Sequence, residues 1–211
     1  MAREPFFAMA GATTSMEPFR HVVVPEVLRP GAARETLAWL ESTNLFARRE
    51  DPRRRYAQFQ IEAVELPAEM PRIRDVLGPE SLDDLRGALE VLFGVRFQRR
   101  CACLVMRCLA GDSMTIHRDY HRRAGADRYI PTHSFLLYLN AAWRPDDGGE
   151  LGLFRSEDPA DIAVTVAPIH NSGIGIAIGP KSFHAVSPIK QGSRYCINFG
   201  FITESDRYQD A

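Results

Sequence analysis

Short apolar runs punctuated by turn residues fill the second half of the chain. They fall at roughly 101–108, 114–119, 134–140, 150–154, 162–167, 173–178, 183–188 and 194–202, with Gly, Pro, Asp and Asn between them. Strands of this length at this spacing predict a double-sheet jelly roll. The first half has a different rhythm. His21–Val24 reads as a short strand, and Gly31–Glu41, following Pro30, reads as a helix that turns Leu37 and Leu40 to the core. In the segment Arg53–Leu66, Tyr56, Phe59, Ile61, Val64 and Leu66 alternate imperfectly and predict a strand, after which Pro67 and Pro71 bound a linker. Ser81 is a candidate cap for a second helix, with Asp83 and Asp84 in its first turn. Leu82, Leu85, Leu89 and Leu92 form the apolar stripe of that helix, which predicts core packing. Pro5–Gly11 is expected to be a flexible or docking arm.

The fold class that follows is mainly β with supporting helices (α+β): a cupin-like jelly-roll core over about 100–205, flanked by N-terminal helices and strands over about 18–98. The 211 residues then form one domain, 1–211. Composition adds limits to this picture. With 26 basic against 27 acidic residues, the formal charge of −1 gives no electrostatic case for nucleic acid or an acidic membrane as partner. No apolar run approaches the length of a membrane span. Of the 26 basic residues only Lys181 and Lys190 are lysines, which leaves 24 arginines, and with abundant alanine this suggests a GC-rich bacterial genome. Cys101, Cys103, Cys108 and Cys196 contain no C-x-x-C pair and read as buried free thiols, so a cytoplasmic location is expected.

The chemistry concentrates in four residues. His117 and Asp119 are spaced so that an extended strand points both to one side, where they can meet one metal ion, and His184 can complete the set. Two imidazoles and one carboxylate can cover three facial positions of an octahedron, the arrangement of non-heme Fe(II) oxygenases. A zinc hydrolase can use the same ligand types. Arg194, ten residues after His184, favours iron with an anionic cosubstrate, because a guanidinium cannot be deprotonated and presents a planar fork to a carboxylate. The turn Ser187–Ser193, with Pro188 and Gly192, is expected to return the Arg194 strand beside His184. His121, His133 and His170 are expected to be structural or solvated, and His21 has no assigned role.

From about Cys101 to Asp206 the chain resembles the Fe(II)- and 2-oxoglutarate-dependent dioxygenases, in particular their prolyl-hydroxylase-like branch. The likeness rests on His117-Arg-Asp119, on Ser134-Phe-Leu-Leu-Tyr138-Leu-Asn140 with Trp143 and Gly148-Gly149-Glu150-Leu151, and on Phe183-His184-Ala-Val186 leading to Arg194-Tyr195. It implies a double-stranded β-helix in which His117, Asp119 and His184 bind Fe(II) and Arg194 pairs with the distal carboxylate of 2-oxoglutarate. Tyr138 stands where oxygen-sensing prolyl hydroxylases have a tyrosine that hydrogen-bonds the same carboxylate. With O2, the implied reaction hydroxylates a C–H bond and releases succinate and CO2. Asp119 separates the chain from the related halogenases, which carry alanine or glycine there. Cys108 occupies the place of a tyrosine that prolyl hydroxylases often carry before the glycine here numbered Gly111, so a cosubstrate contact from that position is not expected. Cys196 stands where many relatives in other branches have serine.

The loop Tyr120–Pro131 resembles the one that flanks the substrate in relatives, which makes Arg128, then Arg122 and Arg123, candidate contacts to an acidic substrate group. The expected substrate is a small molecule such as an amino acid or a biosynthetic intermediate. The alternative is a protein or peptidyl-prolyl hydroxylase, and a metal-binding jelly roll without oxygenase activity is a third reading.

Overall fold

The computed structural model describes residues 5–51, 53–61, 71–120 and 130–204. Its first half supplies β1 (Phe7–Ala10), β2 (Thr13–Ser15), β3 (His21–Val24), β4 (Glu26–Leu28), α1 (Pro30–Ser42), β5 (Ala47–Asp51), β6 (Arg54–Gln60), α2 (Pro71–Leu77) and α3 (Pro79–Phe93). The second half is almost entirely strand: β7 (Phe97–Leu109), β8 (Ser113–His117), β9 (His133–Tyr138), β10 (Leu151–Phe154), β11 (Ile162–Val166), β12 (Ser172–Ala177), β13 (Phe183–Val186) and β14 (Ser193–Thr203). The eight strands expected after residue 100 are all present, most with ends moved by a few residues, as fraying and turn geometry allow.

One large antiparallel sheet runs in the order β11-β10-β13-β8-β6-β7-β14-β9-β12-β3-β2, with β5 paired to β6. The sheet curls, because residues far apart along that order, such as Leu151 on β10 and Ile176 on β12, line the same cavity. The architecture is therefore mostly β and consistent with a jelly roll.

Why the strands read as nearly continuous apolar runs is visible on the three central ones. Side chains alternate between the two faces of a strand. On β14, Tyr195, Ile197, Phe199 and Phe201 join Val105 of β7 and Phe135 and Leu137 of β9 in a core that also takes Leu85, Leu89 and Phe93 of α3. The intervening Cys196 joins Met106, Cys108, Leu136 and Tyr138 in a second core inside the curl. One face of the sheet is thus closed by helices, and the other encloses the cavity.

Several expectations need correcting. Of the two readings of the N-terminal segment, docking holds and flexible does not: β1 pairs with β4, and Phe7, 3% exposed, sets its ring edge-on to Phe199 at 5.9 Å. Ser81 does not cap α3. Gly78 holds that position with Pro79 following, which fixes the first helical φ, and Ser81 lies buried inside the first turn. Pro71 opens α2, and the linker expected before it lies outside the described residues. The strand expected over 53–66 ends at Gln60, and Val64, Leu66 and Pro67 lie outside the described residues.

Candidate metal centre and anion pocket

The two histidines meet because of register. β8 and β13 are adjacent antiparallel strands in which His117 and His184 are directly opposite partners, a relation that brings Cβ atoms to about 5 Å. Their ring centroids are 4.3 Å apart. Asp119 follows just beyond the end of β8 and closes a triangle, with Oδ1 3.8 Å from His117 Nε2 and Oδ2 3.6 Å from His184 Nε2. All three donor atoms lie within 4.8 Å of one another. The extended spacing that suggested a shared face therefore survives although Asp119 is not itself in the strand.

Both imidazoles are oriented in the same way. His117 Nδ1 bonds the Thr115 carbonyl at 2.7 Å, and His184 Nδ1 bonds the Ser182 carbonyl at 2.9 Å. A carbonyl only accepts, so each Nδ1 carries the proton and each Nε2 offers a lone pair toward the triangle. Burial lowers the His117 pKa to about 4, and the neighbouring His184 and Arg54 act in the same direction. Burial works against ionisation of Asp119, but His184, His117 and Arg54 outweigh it and hold the carboxyl well below the usual range. At neutral pH His117 is therefore a neutral imidazole and Asp119 a carboxylate, the protonation states in which they can bind a divalent metal.

A second feature lies deeper in the same cavity, which measures about 190 Å³ and is lined by His117, Asp119 and His184 together with Arg194. Arg194 is 2% exposed. Its Nε and Nη2 have no hydrogen-bond partner among the described residues, and neither does the Tyr138 hydroxyl. The guanidinium carbon lies 4.8 Å from the centre of the Tyr138 ring. Around it are the thiols of Cys108, its register partner on β7, and Cys196, which burial pushes up to about 12 and so keeps neutral. A buried cation among neutral groups with orphaned donors is costly unless an anion joins it. The residues therefore fit both parts of the expected machinery, a three-donor metal site and a seat for a carboxylate.

The expected turn from β13 to β14 behaves differently from the prediction. β13 pairs with β10 and β8, whereas β14 pairs with β7 and β9. Arg194 therefore does not return beside the His184 strand but belongs to the other wall of the curl. Tyr138 is fully buried against Arg194, and the free thiols are buried except Cys101, which is half-buried. His133 is buried between the rings of Phe93 and Phe97. Arg122, Arg123, Arg128 and His121 lie outside the described residues.

Two cavity residues escaped the sequence reading. Arg54 of β6 donates from Nη2 to Asp119 Oδ1 at 3.0 Å. Asn198 lies four residues after Arg194 on the same strand face, lines the cavity, and has a buried Oδ1 without a partner among the described residues. The even spacing from Arg194 was a readable signal for Asn198; nothing local marks Arg54 among its arginine neighbours.

The comparisons agree with this geometry. Residues 105–202, just under half of the chain, match the sequence model of the 2OG-Fe(II) oxygenase superfamily. Over those residues the chain is similar to a superfamily whose description names Fe(II) and 2-oxoglutarate, the metal and keto diacid that the triangle and the Arg194 seat fit. A 59-residue stretch is 37% identical to prolyl 3-hydroxylase OGFOD1 of Xenopus laevis, covering 26% of this chain and only 12% of that protein. The fold is shared with a Pseudomonas putida prolyl-4-hydroxylase, with a TM-score of 0.69 and 19% identity over 88% of this chain and 93% of the other. It is shared too with a Trichoplax adhaerens prolyl hydroxylase in complex with a hypoxia-inducible factor peptide, at a TM-score of 0.64 and 18% identity over 90% and 86% of the two chains.

Proposed function

We propose that this chain is an Fe(II)- and 2-oxoglutarate-dependent hydroxylase acting on a proline-bearing peptide or protein. The observation that carries the oxygenase reading is Arg194: a fully buried guanidinium with orphaned donors, sharing one cavity with a His-Asp-His triangle. A hydrolytic zinc site needs no such group. His117, Asp119 and His184 hold the metal, the Thr115 and Ser182 carbonyls aim the two imidazoles, and Arg194 with the Tyr138 hydroxyl receives the distal carboxylate of 2-oxoglutarate. Bound iron supplies the redox chemistry that couples decarboxylation of the keto acid to hydroxylation of a C–H bond. Leu104, Met106, Leu136, Leu151, Ile176 and Val186 give the cavity apolar walls that exclude water.

The choice of a peptide over a free small molecule is supported by the prolyl hydroxylases among the relatives and by the size of the cavity. Once a keto diacid sits against Arg194, the space left suits one inserted side chain better than a bulky metabolite. We further propose that at least one of Arg128, Arg122 and Arg123, with Arg128 foremost, contacts an acidic group of the substrate.

Turnover separates the possibilities. Incubation with Fe(II), 2-oxoglutarate and either proline-containing peptides or free amino acids should give succinate and a one-oxygen mass gain with the peptides. A gain on free amino acids alone would replace the peptide reading with the small-molecule one, and succinate formation abolished by neither Asp119→Ala nor Arg194→Ala would reject the site.

A further inference from the structure

β6 lies next to the metal strand β8, with Arg54 in register with Met114. That placement carries the Arg54 side chain to the cavity wall, where Nη2 meets Asp119 Oδ1 at 3.0 Å. Both side chains are about one-third exposed, at 32% and 34%. The other carboxylate oxygen, Oδ2, is the one nearest His184 Nε2.

We propose that Arg54 is a positioning residue for the metal centre, holding the Asp119 carboxylate through Oδ1 in the orientation that turns Oδ2 to His184 Nε2 and leaves Oδ1 3.8 Å from His117 Nε2. Asp119 needs such help more than its partners do. The histidines are on paired strands and each is tied by its Nδ1 to a backbone carbonyl. Asp119 lies past the last residue of β8, and its carboxylate has no backbone hydrogen bond among those described. A charged hydrogen bond to Arg54 replaces the anchoring that the strand no longer provides. The inference rests on the assignment of Asp119 as a metal ligand.

The alternative role for a cation beside a cation site is simple repulsion, and the two roles have opposite signs. If Arg54 only repels, its removal tightens metal binding; if it positions Asp119, removal weakens binding. Outer-sphere partners of ligands commonly contribute on the order of tenfold or more in metal affinity.

The experiment is a titration of full-length, metal-free protein with Co(II), followed by calorimetry and by the visible ligand-field spectrum, for wild type, Asp119→Asn, Arg54→Gln and Arg54→Lys. The proposal predicts that Arg54→Gln, folded by circular dichroism, binds Co(II) about tenfold more weakly with an altered spectrum, and that Arg54→Lys recovers part of the loss. Unchanged or tighter binding by Arg54→Gln overturns it. So does loss of the fold in both Arg54 variants, which would make the residue structural. If wild type binds no Co(II), or Asp119→Asn binds as wild type does, the ligand assignment itself fails, an outcome distinct from failure of the Arg54 role.

Discussion

Arg118, which lies between two of the proposed ligands, stacks on Phe183, which precedes the third. Its guanidinium carbon is 5.3 Å from the Phe183 ring centre, and its Nη1 donates to the Pro180 carbonyl at 2.7 Å. The side chain that alternation turns away from the metal is thereby used to tie the end of β8 to the start of β13. Arg118→Ala removes an exposed cation–π contact worth about 0.5–1 kcal/mol and a hydrogen bond of similar worth. The expected outcome is a loss of roughly 1–2 kcal/mol in urea denaturation and a several-fold weaker Co(II) affinity, with the cosubstrate-independent fold intact.

Gly149 sets the position of Arg194 from outside the cavity. Its φ is +84°, and a Cβ there would lie 2.5 Å from Ile189 Cδ1 and 3.1 Å from Arg194 Cδ. Gly149→Ala is therefore strained in its backbone and pushes on the Arg194 stem. The variant should bind 2-oxoglutarate at least about tenfold more weakly, a loss of about 1.4 kcal/mol, while its Co(II) affinity stays near that of wild type. Isothermal titration with each ligand separately checks the split.

His133 predicts an acid-side weakness of the fold. Burial, aided by the charge of Arg20, lowers its pKa from 6.5 to about 3. Between those values the unfolded chain binds a proton that the folded chain refuses, so stability rises with pH across the window and its contribution is lost as pH falls below 6.5. The slope from this one residue is up to about 1.4 kcal/mol per pH unit. Urea midpoints of the metal-free protein should climb between about pH 4.5 and 6.5, and His133→Gln should flatten that climb.

Much of the site was legible in the sequence because it depends on local spacing. His117-Arg-Asp119 needs only an extended chain, and Arg194 needs only its chemistry. The eight C-terminal strands were legible because turn residues separate them. What could not be read depends on pairing between distant segments. That His117 and His184 are register partners, that Thr115 and Ser182 aim their rings, and that Arg54 reaches Asp119 all follow from the neighbours β6, β8 and β13, whose adjacency no local pattern records. The curl misled the simplest expectation about Arg194, which a short turn was supposed to return beside His184. The N-terminal segment reads as flexible or docking for a related reason: nothing in a short apolar stretch names its partners, here Leu28 and Phe199. Gly78-Pro79 marks the start of α3, whereas Ser81, a good cap by type, lies one turn later.

The central claim is that a His-Asp-His iron site and the Arg194 seat act together on one keto diacid. It is tested most directly by anaerobic titration of the metal-free protein with Fe(II) and then 2-oxoglutarate, watching for the visible metal-to-ligand charge-transfer band. Wild type should develop the band only with both components, Asp119→Ala should not develop it, and Arg194→Ala should need far more 2-oxoglutarate, by about 2–5 kcal/mol in apparent affinity. No band in wild type, or a band whose 2-oxoglutarate dependence is the same in Arg194→Ala, would contradict the account.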